Sequence, residues 1–204
     1  MNRARLFACA EGLSDGTALL MGGDTDGTSE VYHPDTGTWG GLVSMSSKRS
    51  RASSHVLSDG RVLIAGGLSG DEPLRSSELF LTSSGRWVAI GDMSSPRASF
   101  CLTEMPNGLL LASGSYSKLG TSTSCDIFDP ADSSWSSADP MRVSRGAHGC
   151  APAPDGAVYV IGGMSDGSIT PTTEVCAETS TPPIEPEYCQ PIDLVPLVLA
   201  AEEV

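Results

Sequence analysis

Basic residues are scarce in this 204-residue chain, where 12 Lys and Arg stand against 25 Asp and Glu for a formal net charge of −13. A surface of that sign repels phosphate backbones and anionic headgroups, so nucleic acid and an anionic membrane surface are excluded as main partners. Proteins with basic patches, cations and neutral ligands stay open. Long apolar runs are missing too: no stretch reaches the roughly 18 residues a membrane helix needs, which excludes membrane insertion by a helix. Ala, Leu and Glu never gather at a period near 3.6, so a helical bundle is not expected. The opening segment MNRARLFACAEGLSDG has two arginines and an apolar patch. Glu11 interrupts that patch before it reaches the length of a signal-peptide core, which leaves cytoplasm as the default location.

What the chain has is turns and a period. Its 23 Gly and 14 Pro suit an all-β protein. Aromatics are few, so their regular recurrence stands out: Trp39, Trp87 and Trp135 lie 48 residues apart, as do Met45, Met93 and Met141, and Arg49, Arg97 and Arg145. Glu30, Glu78, Asp126 and Glu174 keep the same interval. The first unit is four residues shorter, between Gly23 and Glu30. Each unit reads as four short strands, with Asp15-Gly16, Asp59-Gly60, Asn107-Gly108 and Asp155-Gly156 as tight hairpin turns. A single sheet of this kind cannot bury both faces, and stacking sheets around an axis is one solution.

These residues resemble the kelch-repeat family. The similarity rests on Asp59-Gly60 through Gly66-Gly67, Ser77-Glu78-Leu79-Phe80, Gly85-Arg86-Trp87 and Met93 to Arg97, in wording closest to its bacterial, galactose-oxidase-like branch. The resemblance implies a kelch-type β-propeller with three complete four-stranded repeats and a partial fourth, partial or atypically small. The repeats cover residues 5–48, 49–96, 97–144 and 145–180, with a Pro-rich irregular tail over 181–204. Trp39, Trp87, Trp135, Gly66, Gly67, Gly114, Gly162 and Gly163 are its structural anchors. Two departures stand out: Gly114-Ser115 replaces a glycine pair, and Pro183 stands where a fourth tryptophan belongs. The segment Leu194–Leu199 could supply a closing strand, or another chain could complete the array by self-association.

Chemistry is thinly represented. The histidines His33, His55 and His148 share no repeat position, so neither a catalytic triad nor a three-ligand metal site is expected. Cys9 and Cys101 fall at one place in their repeats and Cys150 one position further on, which reads as small residues packed in strands. A disulfide between Cys176 and Cys189 is open only in an oxidising compartment. The copper site that the galactose-oxidase likeness would imply finds no match at Tyr32, Tyr116, Tyr159 or Tyr188. No metal, cofactor or enzyme activity is therefore expected. The resemblance implies a non-catalytic protein-interaction module that uses loops on one propeller face. A carbohydrate-binding or carbohydrate-active propeller and an incomplete fragment without independent function are the alternatives. Candidates on that face are Arg49, Arg97, Arg145, Tyr116, Asp71 and Ser117. The expected partner is a protein or peptide, with a carbohydrate as the alternative.

Overall fold

The computed structural model describes residues 1–177 and 189–191. Each unit folds into an antiparallel sheet because its apolar segments are four to six residues long and end at glycine-bearing turns. The second sheet shows the pattern. Ser53–Val56 pairs with Val62–Ala65, which pairs with Ser77–Leu81, which pairs with Arg86–Ile90. The hairpin between its first two strands turns at Gly60, whose φ of 83° lies in the left-handed region that a side chain disfavours. The first sheet runs through Cys9–Gly12, Ala18–Met21, Thr28–His33 and Thr38–Trp39, and Val43–Ser44 also pairs with Thr28–His33. The third contains Cys101–Glu104, Leu110–Ser113, Cys125–Asp129 and Ser134–Ala138. The fourth contains Gly149–Pro152, Ala157–Ile161, Thr173–Ala177 and Cys189–Pro191. Three two-stranded ribbons stand in the loops: Leu68–Ser69 with Glu72–Pro73, Tyr116–Ser117 with Gly120–Thr121, and Met164–Ser165 with Ser168–Ile169.

The core lies between successive sheets. Leu19 and Met21 of the first pack with Val62, Ile64 and Phe80 of the second. Leu63 and Leu79 of the second meet Leu110 and Phe128 of the third. Leu111 and Cys125 of the third meet Val158, Val160 and Cys176 of the fourth. Each tryptophan sits against the aromatic or tyrosine of its own sheet, with ring centroids 5.1 Å apart for Tyr32–Trp39 and Phe80–Trp87 and 5.0 Å for Phe128–Trp135. Trp87 also donates from its indole N–H to Ser29 Oγ in the preceding sheet.

Buried ion pairs pin the start of a unit to its own second and third strands. Arg97 is fully buried and donates through Nε and Nη2 to Asp126, and through Nη1 to the carbonyls of Gly114 and Ser124. Arg49 makes the corresponding contacts with Glu78, Gly66 and Ser76, and Arg145 with Glu174, Gly162 and Thr172. The carboxylate and carbonyl partners are what allow so large a cation to be buried, although the Nε of Arg49 and of Arg145, unlike that of Arg97, is buried without a hydrogen-bond partner.

The kelch-type propeller expected from the repeats is not what forms. The strands make seven separate sheets, and no ladder joins the first to the last, so no ring closes among the described residues. The expectation erred because a period places equivalent residues in equivalent local environments. Closure is a relation between distant ends of the array, and the period does not encode it. The closing strand expected at Leu194–Leu199 lies outside the described residues. No helix among the described residues is long and apolar enough to cross a membrane.

Candidate metal centre

Three potential metal ligands converge between the third and fourth sheets. Cys101 opens the strand Cys101–Glu104, Cys150 lies in Gly149–Pro152, and His148 immediately precedes that strand. Their ligand atoms all lie within 4.8 Å of one another, and each residue is half-buried. Ser113, fully buried on the next strand of the third sheet, sits beside them, with its Oγ 3.0 Å from His148 Nε2 and 3.5 Å from Cys150 Sγ.

Strand parity brings the two thiols together. The first residue of each innermost strand faces the following sheet: Cys9 Sγ donates to Ala52 O and Ser53 Oγ to Phe100 O. The next residue faces back, as Ser54 Oγ does to Glu11. Cys101 holds the forward-facing place. Cys150, displaced by one, holds the backward-facing place, because adjacent strand residues point to opposite faces. The two thiols therefore meet in the space between the sheets.

His148 occupies an aromatic slot. Its counterpart 48 residues earlier is Phe100, which is buried against Ala65, Met93 and Ala112. Gly114, with φ at 67°, makes room for the imidazole. A Cβ there would lie 2.3 Å from the carbonyl oxygen of Arg145 and 2.8 Å from His148 Cε1. The neighbouring departure from the glycine pair is compensated in the same way: a Cβ at Gly146 would lie 2.4 Å from the carbonyl carbon of Ser115.

Burial pushes the His148 pKa down to about 4, with the Arg145 charge acting in the same direction. The ring is therefore neutral at pH 7, the state that offers a nitrogen lone pair to a metal. Its Nδ1 is buried without a hydrogen-bond partner. The two cysteines are shifted in opposite directions. A hydrogen bond from Cys150, aided by the Thr103 hydroxyl, lowers the Cys101 pKa against the opposing effect of burial. Cys150 is raised by its bond to Cys101 and by burial. Cys9 and Cys125 behave differently: burial raises each of their thiols to about 11, and no metal-ligating cluster among the described residues includes either.

The residues singled out from the sequence lie elsewhere. Arg49, Arg97 and Arg145 are the buried partners of Glu78, Asp126 and Glu174. Tyr116 and Ser117 form one strand of a loop ribbon, and Asp71 is exposed in another ribbon's turn. Among the tryptophan anchors, Trp39, Trp87 and Trp135 are each partly buried. Gly66, Gly67, Gly162 and Gly163 share the left-handed backbone of Gly114.

No protein-family model matches the chain, and no curated protein does either. The kelch resemblance is thus without support from related sequences as well as from the sheet arrangement. The function expected on that basis is corrected with it. An interaction module, a carbohydrate-binding propeller and a propeller fragment all presuppose an architecture that does not form. The expectation of no enzyme activity and no metal constellation is corrected by the Cys101–His148–Cys150 cluster.

Proposed function

We propose that Cys101, His148 and Cys150 bind a thiophilic metal ion, with Zn2+ the best fit to two sulfurs and one imidazole. The observation that carries this reading is the meeting of three ligand atoms from two segments of different sheets within 4.8 Å. Tetrahedral zinc with ordinary Zn–S and Zn–N bonds holds its ligands about 3.5–3.8 Å apart, so a contraction of about 1.3 Å at most completes the set. The neutral imidazole and the acidified Cys101 thiol favour the same reading, since metal binding needs unprotonated ligands. Three protein ligands leave a fourth position for water or the Ser113 hydroxyl, the arrangement of a reactive centre rather than a closed structural one. Metal-assisted hydrolysis is the reaction class that such a position serves.

Competition with a chromophoric chelator on reduced, metal-stripped protein tests the proposal. One Zn2+ per chain is expected. Loss of an outer partner alone costs a site about 10–100-fold, so His148→Phe and Cys150→Ser should each weaken binding by at least about 100-fold. Wild-type affinity in both variants, or no stoichiometric binding, would overturn it. Cys176 is disulfide-bonded, whereas Cys9, Cys101, Cys125 and Cys150 are free. That bond favours an oxidising compartment over the cytoplasm taken as the default. Fractionation of the native host, with non-reducing mass analysis of the purified chain, decides between them.

A further inference from the structure

A second site lies away from the cysteine cluster. Where segments of the first three units meet, a cavity of about 640 Å³ opens, with Phe7, Lys48, Arg51, Asp71 and Tyr116 on its wall. Its frame is a backbone ladder that crosses the units. Arg51 N–H donates to Phe7 O at 3.0 Å, Ser99 N–H to Arg51 O at 2.9 Å, and Ala147 N–H to Ser99 O at 2.7 Å. All four residues take left-handed backbone, with φ of 55° at Phe7, 54° at Arg51, 46° at Ser99 and 51° at Ala147. Small residues hold two of these places. The two on the cavity carry an aromatic ring and a guanidinium, the kind of bulky residue for which such a φ is uncommon. The φ itself belongs to the repeat, since Ser99 and Ala147 share it; what sets this wall apart is that Phe7 and Arg51 carry large side chains there.

The charges there are unclaimed. The Arg51 guanidinium carbon stands 3.9 Å from the Phe7 ring centroid, a contact that occupies a face of the group. Its N–H edge stays available for a bidentate bond to a carboxylate. Among the described residues neither Arg51 nor Lys48 forms an ion pair, whereas neighbouring Lys118 is paired with Glu72 and Arg49 with Glu78. In a chain with 25 acidic and 12 basic residues, two cations against the single unpaired carboxylate of Asp71 leave this wall locally positive on an acidic background. The volume falls in the ~300–1,000 Å³ range of small-molecule pockets and far exceeds the need of an inorganic anion. Asp71 and the hydroxyls of Tyr116 and Ser117 add hydrogen-bonding groups to the same wall.

We infer that this cavity binds a small organic carboxylate bearing hydroxyl groups, its carboxylate held by Arg51 and Lys48. The test is a two-dimensional 1H–15N NMR titration with glucuronate and 4-hydroxybenzoate, each run beside its uncharged counterpart, glucose or 4-hydroxybenzamide. At least one acid should shift the amides around Arg51 and Tyr116, with a dissociation constant at or below about 1 mM. Its uncharged counterpart should not. Arg51→Met and Lys48→Met should each weaken binding by about tenfold or more, as expected for loss of a charge-assisted bond. Arg86→Met, on the outer strand of the second sheet, should leave it unchanged. The inference is overturned if neither acid shifts those amides, if acid and uncharged counterpart bind alike, or if both the Arg51 and Lys48 variants bind as wild type. Lys48→Met keeps the test decisive should Arg51→Met fail to fold.

Discussion

Replacing Arg97 by Met removes the cation that pins the start of the third unit to its second and third strands. Arg97 and Asp126 both have side chains at 0% exposure, and their closest approach is 2.6 Å. Met matches much of the aliphatic length, so the substitution deletes charge and hydrogen bonds with little change of volume. Four bonds disappear: two to Asp126 and one each to the carbonyls of Gly114 and Ser124. The Asp126 carboxylate keeps an N–H contact from Ser94 at 3.3 Å, too long to replace the guanidinium. Removing one partner of a buried pair costs about 3–5 kcal/mol. For a domain stable by about 5–15 kcal/mol, that is a large share of the whole. Urea denaturation followed by tryptophan fluorescence reads it directly. The double variant Arg97→Met/Asp126→Leu should recover much of the loss, because it removes the stranded charge. A loss below about 1 kcal/mol for the single variant, the value of an exposed pair, would refute the reasoning.

Other outcomes follow from the same contacts. Gly114→Ala should cost about 2–3 kcal/mol in the same denaturation assay, since the added Cβ would overlap the Arg145 carbonyl oxygen at a left-handed position. In the Arg5–Glu30–Asp24 cluster, burial raises both carboxyls, but hydrogen bonds from Asn2, Thr28 and Arg5 outweigh it and hold both below their ordinary values. The folded state therefore binds fewer protons than the unfolded chain around pH 4. The stabilisation stands in full above that range and is lost as pH falls through the folded values. Melting temperature should drop between pH 5 and 3, and Arg5→Met should flatten that drop. In metal-free protein His148→Phe should change stability by less than about 1 kcal/mol in the same denaturation assay, because it removes a buried nitrogen without a partner but also takes the Nε2 contact from buried Ser113. In metal-free protein, iodoacetamide should label Cys101 faster than Cys9 or Cys125, in keeping with the direction of their shifts. Mass spectrometry of the labelled peptides checks this, and equal rates would contradict it.

Much of the local structure was legible in the sequence. The turn dipeptides mark the first hairpin of each sheet, and the 48-residue interval between Arg97 and Arg145 anticipates that both meet an acidic residue in the same way. Ring closure was not legible, because no residue reports on a contact between first and last units. The metal cluster was readable in part. Cys101 and Cys150 were seen as one position out of register, and parity turns that displacement into opposite-facing side chains meeting between sheets. Spacing along the chain does not reveal the site, because positions 101, 148 and 150 form no recognised motif. His148 carried its own clue as a polar ring in a slot that holds Phe100 one unit earlier.

Zinc K-edge X-ray absorption on the reduced chain loaded with one equivalent of Zn2+ tests the central claim most directly. The account predicts a first shell with two sulfurs at about 2.3 Å and one imidazole nitrogen at about 2.0 Å, with the imidazole scattering lost in His148→Phe. A shell of oxygen and nitrogen alone, or one unchanged by the substitution, would contradict it.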